Sequence, residues 1–453
     1  MTFCSLRTNS YQTSRGPCGL HWTVPSVRHP GRQLPLRFAV ALGILALLAP
    51  ACAAKKRAAG VGPSAGSSVT GTASPLIGEG GSTATPTTSA RPSTPAPATQ
   101  APTSPPPTHA PSPPPTHAPS GPPPATAYPI PANFPTALAF APDGRLFWAE
   151  RAGTVMVFQN GAPRVFATVS TVTTEAGGGY SERGLLGLAI SPTFTADHFV
   201  YAFYSDADRT TQHVIRWTDS AGAGTAPTIL LTYPSGDDCC HKGGRLAFGP
   251  TDGKLYVTLG EEHDAAAAQN TAGPLGKVLR YNPDGTIPAD NPIGGNPLWA
   301  YGFRNPFGIA ISSSGQVALT VNGPTGDAGS PSTGYDTVVY AVVKGGDYQW
   351  PDCYGYNHPL AANPCPANLI PPDYSTEAST IVPTGATFVD ASGPAGTAGH
   401  LVFCTFNSGG MIYSPGSPHG SVGAGPANCR LDIKQGPDHA LYFSDTGSIY
   451  RQG

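Results

Sequence analysis

Charge is scarce in this 453-residue chain: 25 Lys and Arg and 27 Asp and Glu together make up 11% of it. That is less than half the usual share. It excludes a coiled coil, a helical bundle and a nucleic-acid-binding arm, all of which depend on dense charge. Long apolar runs are missing too, with one exception, so the chain is not a multi-spanning membrane protein. No long segment carries helical periodicity, because Gly or Pro interrupts nearly every candidate. What is plentiful is turn chemistry, with 56 Gly and 52 Pro. The length admits two or three ordinary domains or one large all-β domain.

The net charge of −2 hides an asymmetry. Residues 1–60 hold eight Lys or Arg and no acid, and residues 61–127 hold only Glu79 and Arg91. Beyond residue 127, 16 bases face 26 acids, a net of −10. Such a body repels nucleic acid, and none is expected as a partner.

Three segments follow from composition. Residues 1–54 read as an export signal: Arg28, Arg32 and Arg37 precede the apolar run from Phe38 to Ala51, which ends at Cys52. Leu48-Ala-Pro-Ala-Cys52 resembles an imperfect lipobox, which would make Cys52 a lipidated membrane tether; ordinary cleavage at an Ala-x-Ala site is the alternative, and an uncleaved anchor a third. Each places the remainder outside the cytoplasm, secreted or held at the cell surface. Residues 55–127 form a linker rich in Pro, Thr and Ser; 18 Pro and 7 Gly fall within 61–127. A disordered, extended tether is expected there. Residues 128–453 form the folded body.

One pattern recurs through that body. Leu138-Ala-Phe-Ala-Pro-Asp-Gly-Arg-Leu-Phe-Trp148 returns as Leu246-Ala-Phe-Gly-Pro-Thr-Asp-Gly-Lys-Leu-Tyr256. Looser copies begin at Leu188, Ile309, Ala386 and Leu431. Each copy is a short apolar strand, a Pro/Gly/Asp turn and a second alternating strand. Six copies at blade-like spacing predict an all-β, six-bladed β-propeller. Two packed sandwiches would leave the repeat unexplained.

Six cysteines fall in the body. Their even number in an exported domain points to disulfides. Cys353 and Cys365 bracket a Pro/Asn-rich loop and are expected to pair. Cys404 and Cys429, read as lying on neighbouring inner strands, make a second pair. For Cys239 and Cys240 three readings stand: a vicinal disulfide, a different pairing or two buried thiols, and a Cys/Cys/His metal site with His241.

His241 leads into an inner strand, at the propeller end that faces the central funnel. Imidazole suits proton abstraction near neutral pH, although a single His is more often structural. Its context is informative. Gly184-Leu-Leu-Gly-Leu-Ala189, His241-Lys-Gly-Gly-Arg-Leu246, the stretch from Leu275 to Pro292 and Tyr301-Gly-Phe-Arg-Asn-Pro306 occur in this order, followed by Asn322-Gly-Pro324 and Gly345-Gly-Asp-Tyr-Gln-Trp-Pro351. Over residues 130–451 the chain resembles the soluble glucose/sorbosone dehydrogenase family, six-bladed propellers that use pyrroloquinoline quinone (PQQ).

The resemblance implies an oxidoreductase that converts an aldose-type sugar hydroxyl to a lactone, with PQQ as hydride acceptor, Ca²⁺ as electrophile and an external electron acceptor. It puts His241 at the catalytic base and Glu182 at a polar active-site position. Arg304, Asn305, Gln269, Tyr348, Trp350 and Asn407 fall on or near the cofactor pocket, and Gly323 and Pro324 on the positions whose carbonyls hold Ca²⁺. There are departures. Cys240 stands where the family carries Asp or Asn, and Phe303 where many members carry His. Asn407 replaces a Lys, and Cys429-Arg430-Leu431-Asp432 replaces an Arg-x-Arg-Asp run. These losses define the alternative, a non-catalytic propeller that binds carbohydrate or protein. The run Glu261-Glu262-His263-Asp264 offers metal ligands but reads rather as a solvated loop.

Overall fold

The computed structural model describes residues 121–236 and 239–453. The signal segment and all but the last residues of the tether lie outside them. Residues 125–127 form a 3₁₀ turn, and Ala127 and Tyr128 already pack against the core, so the ordered body starts slightly before the expected boundary at 128.

Six four-stranded antiparallel sheets follow one another. Their inner strands are Pro135–Phe140, Leu185–Ile190, Leu246–Phe248, Asn305–Ile311, Pro383–Phe388 and Ile433–Gln435. Each recurring sequence copy lies on an inner strand or leads into one, so the repeat is the blade. The sixth blade borrows its outermost strand: Ile130–Pro131 pairs with Ser448–Gln452, Ile130 opposite Ile449. This closure welds the start of the body to its end.

Period-two alternation explains why the ring holds together. Phe147 faces the second blade in a cluster with Leu188, Phe194 and Trp217, while its neighbour Trp148 faces the sixth with Tyr442 and Ile449. Among the described residues each pair of adjacent blades shares one such buried cluster. The centre is tied by Arg245, whose guanidinium donates to Phe307 O (3.0 Å), Leu431 O (3.2 Å) and Thr136 O. Those carbonyls belong to the fourth, sixth and first blades, so the last residue of the His241-Lys-Gly-Gly-Arg run is a plug across the channel. A buried guanidinium is tolerable because its donors are answered.

The disulfides are Cys239–Cys240, Cys353–Cys365 and Cys404–Cys429. Cys404 and Cys429 are not both on inner strands: Cys404 is on the second strand of blade five, Leu401–Thr405, and Cys429 is in the turn before blade six. The bridge therefore links two adjacent blades. Cys353–Cys365 staples an insertion between the third and fourth strands of blade four, which carries the hairpin Cys353–Tyr354/His358–Pro359. No helix among the described residues is long and apolar enough to cross a membrane.

Candidate active site

Antiparallel blades place two kinds of segment at the same end of the ring: those leading into inner strands, and those joining second to third strands. His241 is of the first kind, ahead of Leu246–Phe248; Glu261 and His263 are of the second, after Leu255–Leu259. The two segments meet at Gly260, where an added Cβ would sit 2.0 Å from His241 O. Only glycine permits that approach.

Three blades converge on the histidine's backbone. Cys239 O accepts from Glu182 N (2.8 Å) and Ser181 Oγ (3.2 Å), so the turn bearing the vicinal disulfide is moored to the segment leading into blade two. Glu182 Oε2 accepts from Asn305 Nδ2 (3.1 Å) and Lys242 N (3.3 Å), and Asn305 Oδ1 accepts from Gly243 N (3.1 Å). Glu182, His241 and Asn305 are thus parts of one network.

The imidazole is buried and engaged at both nitrogens. Nδ1 is bonded to Glu261 Oε1, and Nε2 lies 3.1 Å from His263 Nε2, the rings crossing edge to face at 4.0 Å. Burial holds His241 well below the ordinary imidazole value, helped by the charges of Arg304, His263 and Lys242. Burial also pushes Glu261 up to about 8. Desolvation opposes charge on either partner, so near neutral pH the pair shares its proton without separated charges. The Glu261–Asp264 run is therefore not the solvated loop expected: Glu261 and Glu262 are buried, Glu262 against Lys242 Nζ (2.8 Å), and only His263 and Asp264 are exposed.

Arg304 stands beside this pair. It donates to Asp327 (Nε 2.8 Å, Nη2 3.0 Å), Thr325 Oγ1 (2.7 Å) and Gly323 O, with the Trp350 ring 5.9 Å from its carbon. Burial would raise Asp327, but the hydrogen bond and charge of Arg304 win and hold it low. His241, Glu261 and Asp327 bring donor atoms within 4.8 Å of one another, and the guanidinium supplies the cation of that group. Gln269 Nε2 donates to Asp347 Oδ1 and Trp350 O, both 2.9 Å, so Gln269 holds the wall that Trp350 forms. Tyr348 stacks on Phe303 at 4.8 Å, closing this wall with an aromatic pair. A cleft runs along Arg304, Gly323, Pro324, Tyr335, Trp350 and Tyr354.

Asn407 is exposed on the turn between the second and third strands of blade five, its Nδ2 3.5 Å from Thr380 O. Arg430 lies in a bend, not in a strand, so no strand register turns it away; its Nη1 donates to Phe406 O (2.7 Å), beside Asn407. Glu182, His241, Arg304, Asn305 and Gly323 therefore come together directly, Gln269, Tyr348 and Trp350 form the adjoining wall, and Asn407 belongs to the neighbouring blade's rim.

For a hard cation the donor chemistry fits: Gly323 O keeps a second lone pair beside Arg304, and the adjacent Asn322 Oδ1 is buried without a hydrogen-bond partner. For the carboxylates of PQQ the cation supply is thinner. Arg304 is paired with Asp327, Lys242 with Glu262, and Lys277 Nζ is enclosed by the carbonyls of Ala267, Ala268 and Leu275. Arg430 keeps a guanidinium on the rim, bonded to a carbonyl and, among the described residues, to no carboxylate.

Glu261 and His263 are the residues the sequence reading missed. The usable signal was positional: a polar run directly after the second strand of the same blade that His241 leads into must reach the same end of the ring.

Comparison with known proteins identifies the family. The sequence profile of the Glucose / Sorbosone dehydrogenase family matches residues 132–451. Quinoprotein glucose dehydrogenase B of Acinetobacter calcoaceticus is 30% identical over 260 residues, 49% of this chain and 51% of that protein. Aldose sugar dehydrogenase YliI of Escherichia coli (strain K12) is 28% identical over 253 residues, 48% and 59% of the two chains. The chain thus spans about half the length of the curated relatives it matches. A solved structure described as an oxidoreductase (glucose dehydrogenase), from Thermus thermophilus, superposes with a TM-score of 0.60 at 28% identity, over 70% of this chain and 96% of that one. The PQQ-bound aldose sugar dehydrogenase of Streptomyces coelicolor shares the fold, with a TM-score of 0.58 at 23% identity over 71% and 94%. With the family profile matching residues 132–451, well over half of it, the chain belongs to the glucose/sorbosone dehydrogenase family.

Proposed function

We propose that the protein oxidises an aldose-type sugar hydroxyl to a lactone outside the cytoplasm, with PQQ as hydride acceptor, Ca²⁺ as its electrophile and a separate electron acceptor. The observation that carries this reading is a buried imidazole pinned at Nδ1 by a carboxylate, set beside Arg304, Asn305 and Gly323. Glu261 fixes the ring, so Nε2 is the nitrogen that meets the substrate hydroxyl and takes its proton. Burial keeps His241 neutral, and once Glu261 is ionised the ring hydrogen sits on Nδ1 and Nε2 is free to accept. Glu182 and Asn305 hold the backbone on either side, and Trp350 and Tyr348 exclude water from the wall.

Arg304, Asn305, Gln269, Tyr348, Trp350 and Asn407, with Arg430 at the rim, would hold PQQ; Gly323, Pro324 and Asn322 would hold Ca²⁺. Bound there, PQQ supplies the two-electron acceptor for the hydrogen leaving the anomeric carbon, and Ca²⁺ the Lewis acid that favours it. Export rests on the three disulfides, which persist in oxidising compartments. A lipid on Cys52 is part of the same proposal, and the mass of the mature N-terminal peptide tests it.

One observation favours a second reading. Arg304 is already paired with Asp327 and Asn407 stands in place of a cation, as expected of a propeller that binds carbohydrate or protein without PQQ. Adding PQQ and Ca²⁺ to the purified chain separates the two. A quinone absorbance that stays with the protein, together with dye reduction driven by at least one of a panel of aldoses, supports the dehydrogenase; neither signal leaves the binding propeller.

A further inference from the structure

His263 takes no part in the family motifs, yet its ring covers the one nitrogen that the proposed base needs. His241 is only 3% exposed, while His263 is exposed on the turn after Leu255–Leu259. Their Nε2 atoms are 3.1 Å apart, a hydrogen-bond distance for N–H···N, and Nδ1 of His241 is already taken by Glu261. Every oxidation of a hydroxyl leaves a proton on the base, and that proton must go before the base can act again. Its direct route to water is closed by burial. Among the described residues the charged groups nearest His241 are Glu261, Asp327, Arg304, Lys242 and Glu182; Glu261 is buried, Arg304 and Lys242 repel a proton, Asp327 is neutralised by Arg304, and Glu182 is held by Asn305 and the Lys242 amide. The exposed imidazole is the group that joins Nε2 to solvent.

We propose that His263 is the proton-transfer partner through which His241 exchanges its proton with water. The inference rests on the dehydrogenase reading for its role in turnover, but not for the exchange itself. In the resting chain the two Nε2 atoms share one hydrogen. A substrate hydroxyl takes the place of the His263 ring at Nε2; its O–H bond breaks and an N–H bond forms on His241. The displaced, exposed His263 ring gives its own Nε2 hydrogen to water; after product leaves it returns with a bare Nε2, the hydrogen on His241 enters the N–H···N contact, and the pair again shares one hydrogen, so one proton reaches water per turnover. Imidazole is suited to both halves of the exchange near neutral pH. His263 acts through His241 and is a positioning and relay residue, not the base.

The experiment is nitrogen NMR of the purified chain, labelled at histidine and free of added cofactor. Coupling across the N–H···N contact and the exchange of the His241 ring proton with water are followed in the native chain, in His263→Gln and in His263→Ala. The inference expects coupling in the native chain, its loss in both variants, and exchange of the His241 proton slowed by about tenfold or more, since proton relay by a placed side chain contributes about 10²–10⁴-fold in rate. Added imidazole should restore the exchange in the Ala variant. No coupling in the native chain, or unchanged exchange in the variants, overturns it. Turnover of the reconstituted enzyme should fall with the exchange and recover with imidazole. If the native chain shows the exchange effect but never turns over a sugar, the relay stands and the dehydrogenase reading fails.

Discussion

At the scale of single residues, the site is organised around one buried histidine whose two nitrogens have different partners. Burial raises Glu261 to about 8, and Arg304 pulls against that rise, while Asp327 and Asp264 reinforce it. As pH passes upward through about 8 Glu261 loses its proton, and the carboxylate makes His241 a stronger base. Sugar oxidation should therefore climb through that range. Glu261→Gln should remove the climb and lower kcat/KM by roughly 10²-fold or more, which a pH–rate profile of both proteins would read. A variant with an unaltered profile would contradict the role given to Glu261. Arg304 and Asn305, and the role given to His241, came from the family resemblance carried by the runs His241-Lys-Gly-Gly-Arg-Leu246 and Tyr301-Gly-Phe-Arg-Asn-Pro306, and the structure brings the three residues into one network. Glu261 was not legible in the sequence, because a charged run in a connection ordinarily faces water, and what buries it is a second segment 20 residues earlier.

At the scale of the element, the segment from Gly260 to Gly276 carries Glu261, His263 and Gln269 with little regular structure beyond the 3₁₀ turn Ala265–Ala268. Lys277, at the start of the following strand, organises it by donating to Ala267 O, Ala268 O and Leu275 O at 2.7–2.8 Å. Burial lowers that ammonium from 10.5 to about 7. Below pH 7 the folded chain carries the full cost of a buried charge. The cost is relieved as pH rises from about 7 toward 10.5, where the unfolded chain still holds the proton, so stability gains over that window. Lys277→Met should lose this gain and, by leaving three carbonyls without a donor, should destabilise by about 1–3 kcal/mol at pH 9. Urea unfolding at pH 7 and pH 9 checks both. Neither the caged lysine nor the insertion stapled by Cys353–Cys365 could be read from periodicity, because each depends on contacts between segments that carry no repeat.

At the scale of the whole molecule, the six blades were legible because each inner strand carries the same strand–turn–strand copy. The closure was not: a two-residue strand ending in Pro131 has no pattern to find. Ile130 is buried between the last blade and the first, so Ile130→Ala should cost about 2–5 kcal/mol, read as a lower midpoint in thermal or urea unfolding. Breaking Cys404–Cys429, which spans 25 residues across two adjacent blades, should cost about 2–4 kcal/mol without moving the His241 network. Both losses act on the ring rather than on the chemistry, and a folded variant of either should keep its pH–rate profile. The ring holds three blades' segments against one imidazole, and its acidic body works against capture of an anionic cofactor. The most direct test is aldose-dependent dye reduction by the native chain and His241→Ala side by side, each loaded with PQQ and Ca²⁺. The account predicts that both proteins retain the quinone absorbance and that turnover falls by about 10²–10⁴-fold in the variant. Undiminished turnover in His241→Ala, or a native chain that neither keeps the quinone nor oxidises any aldose, would contradict it.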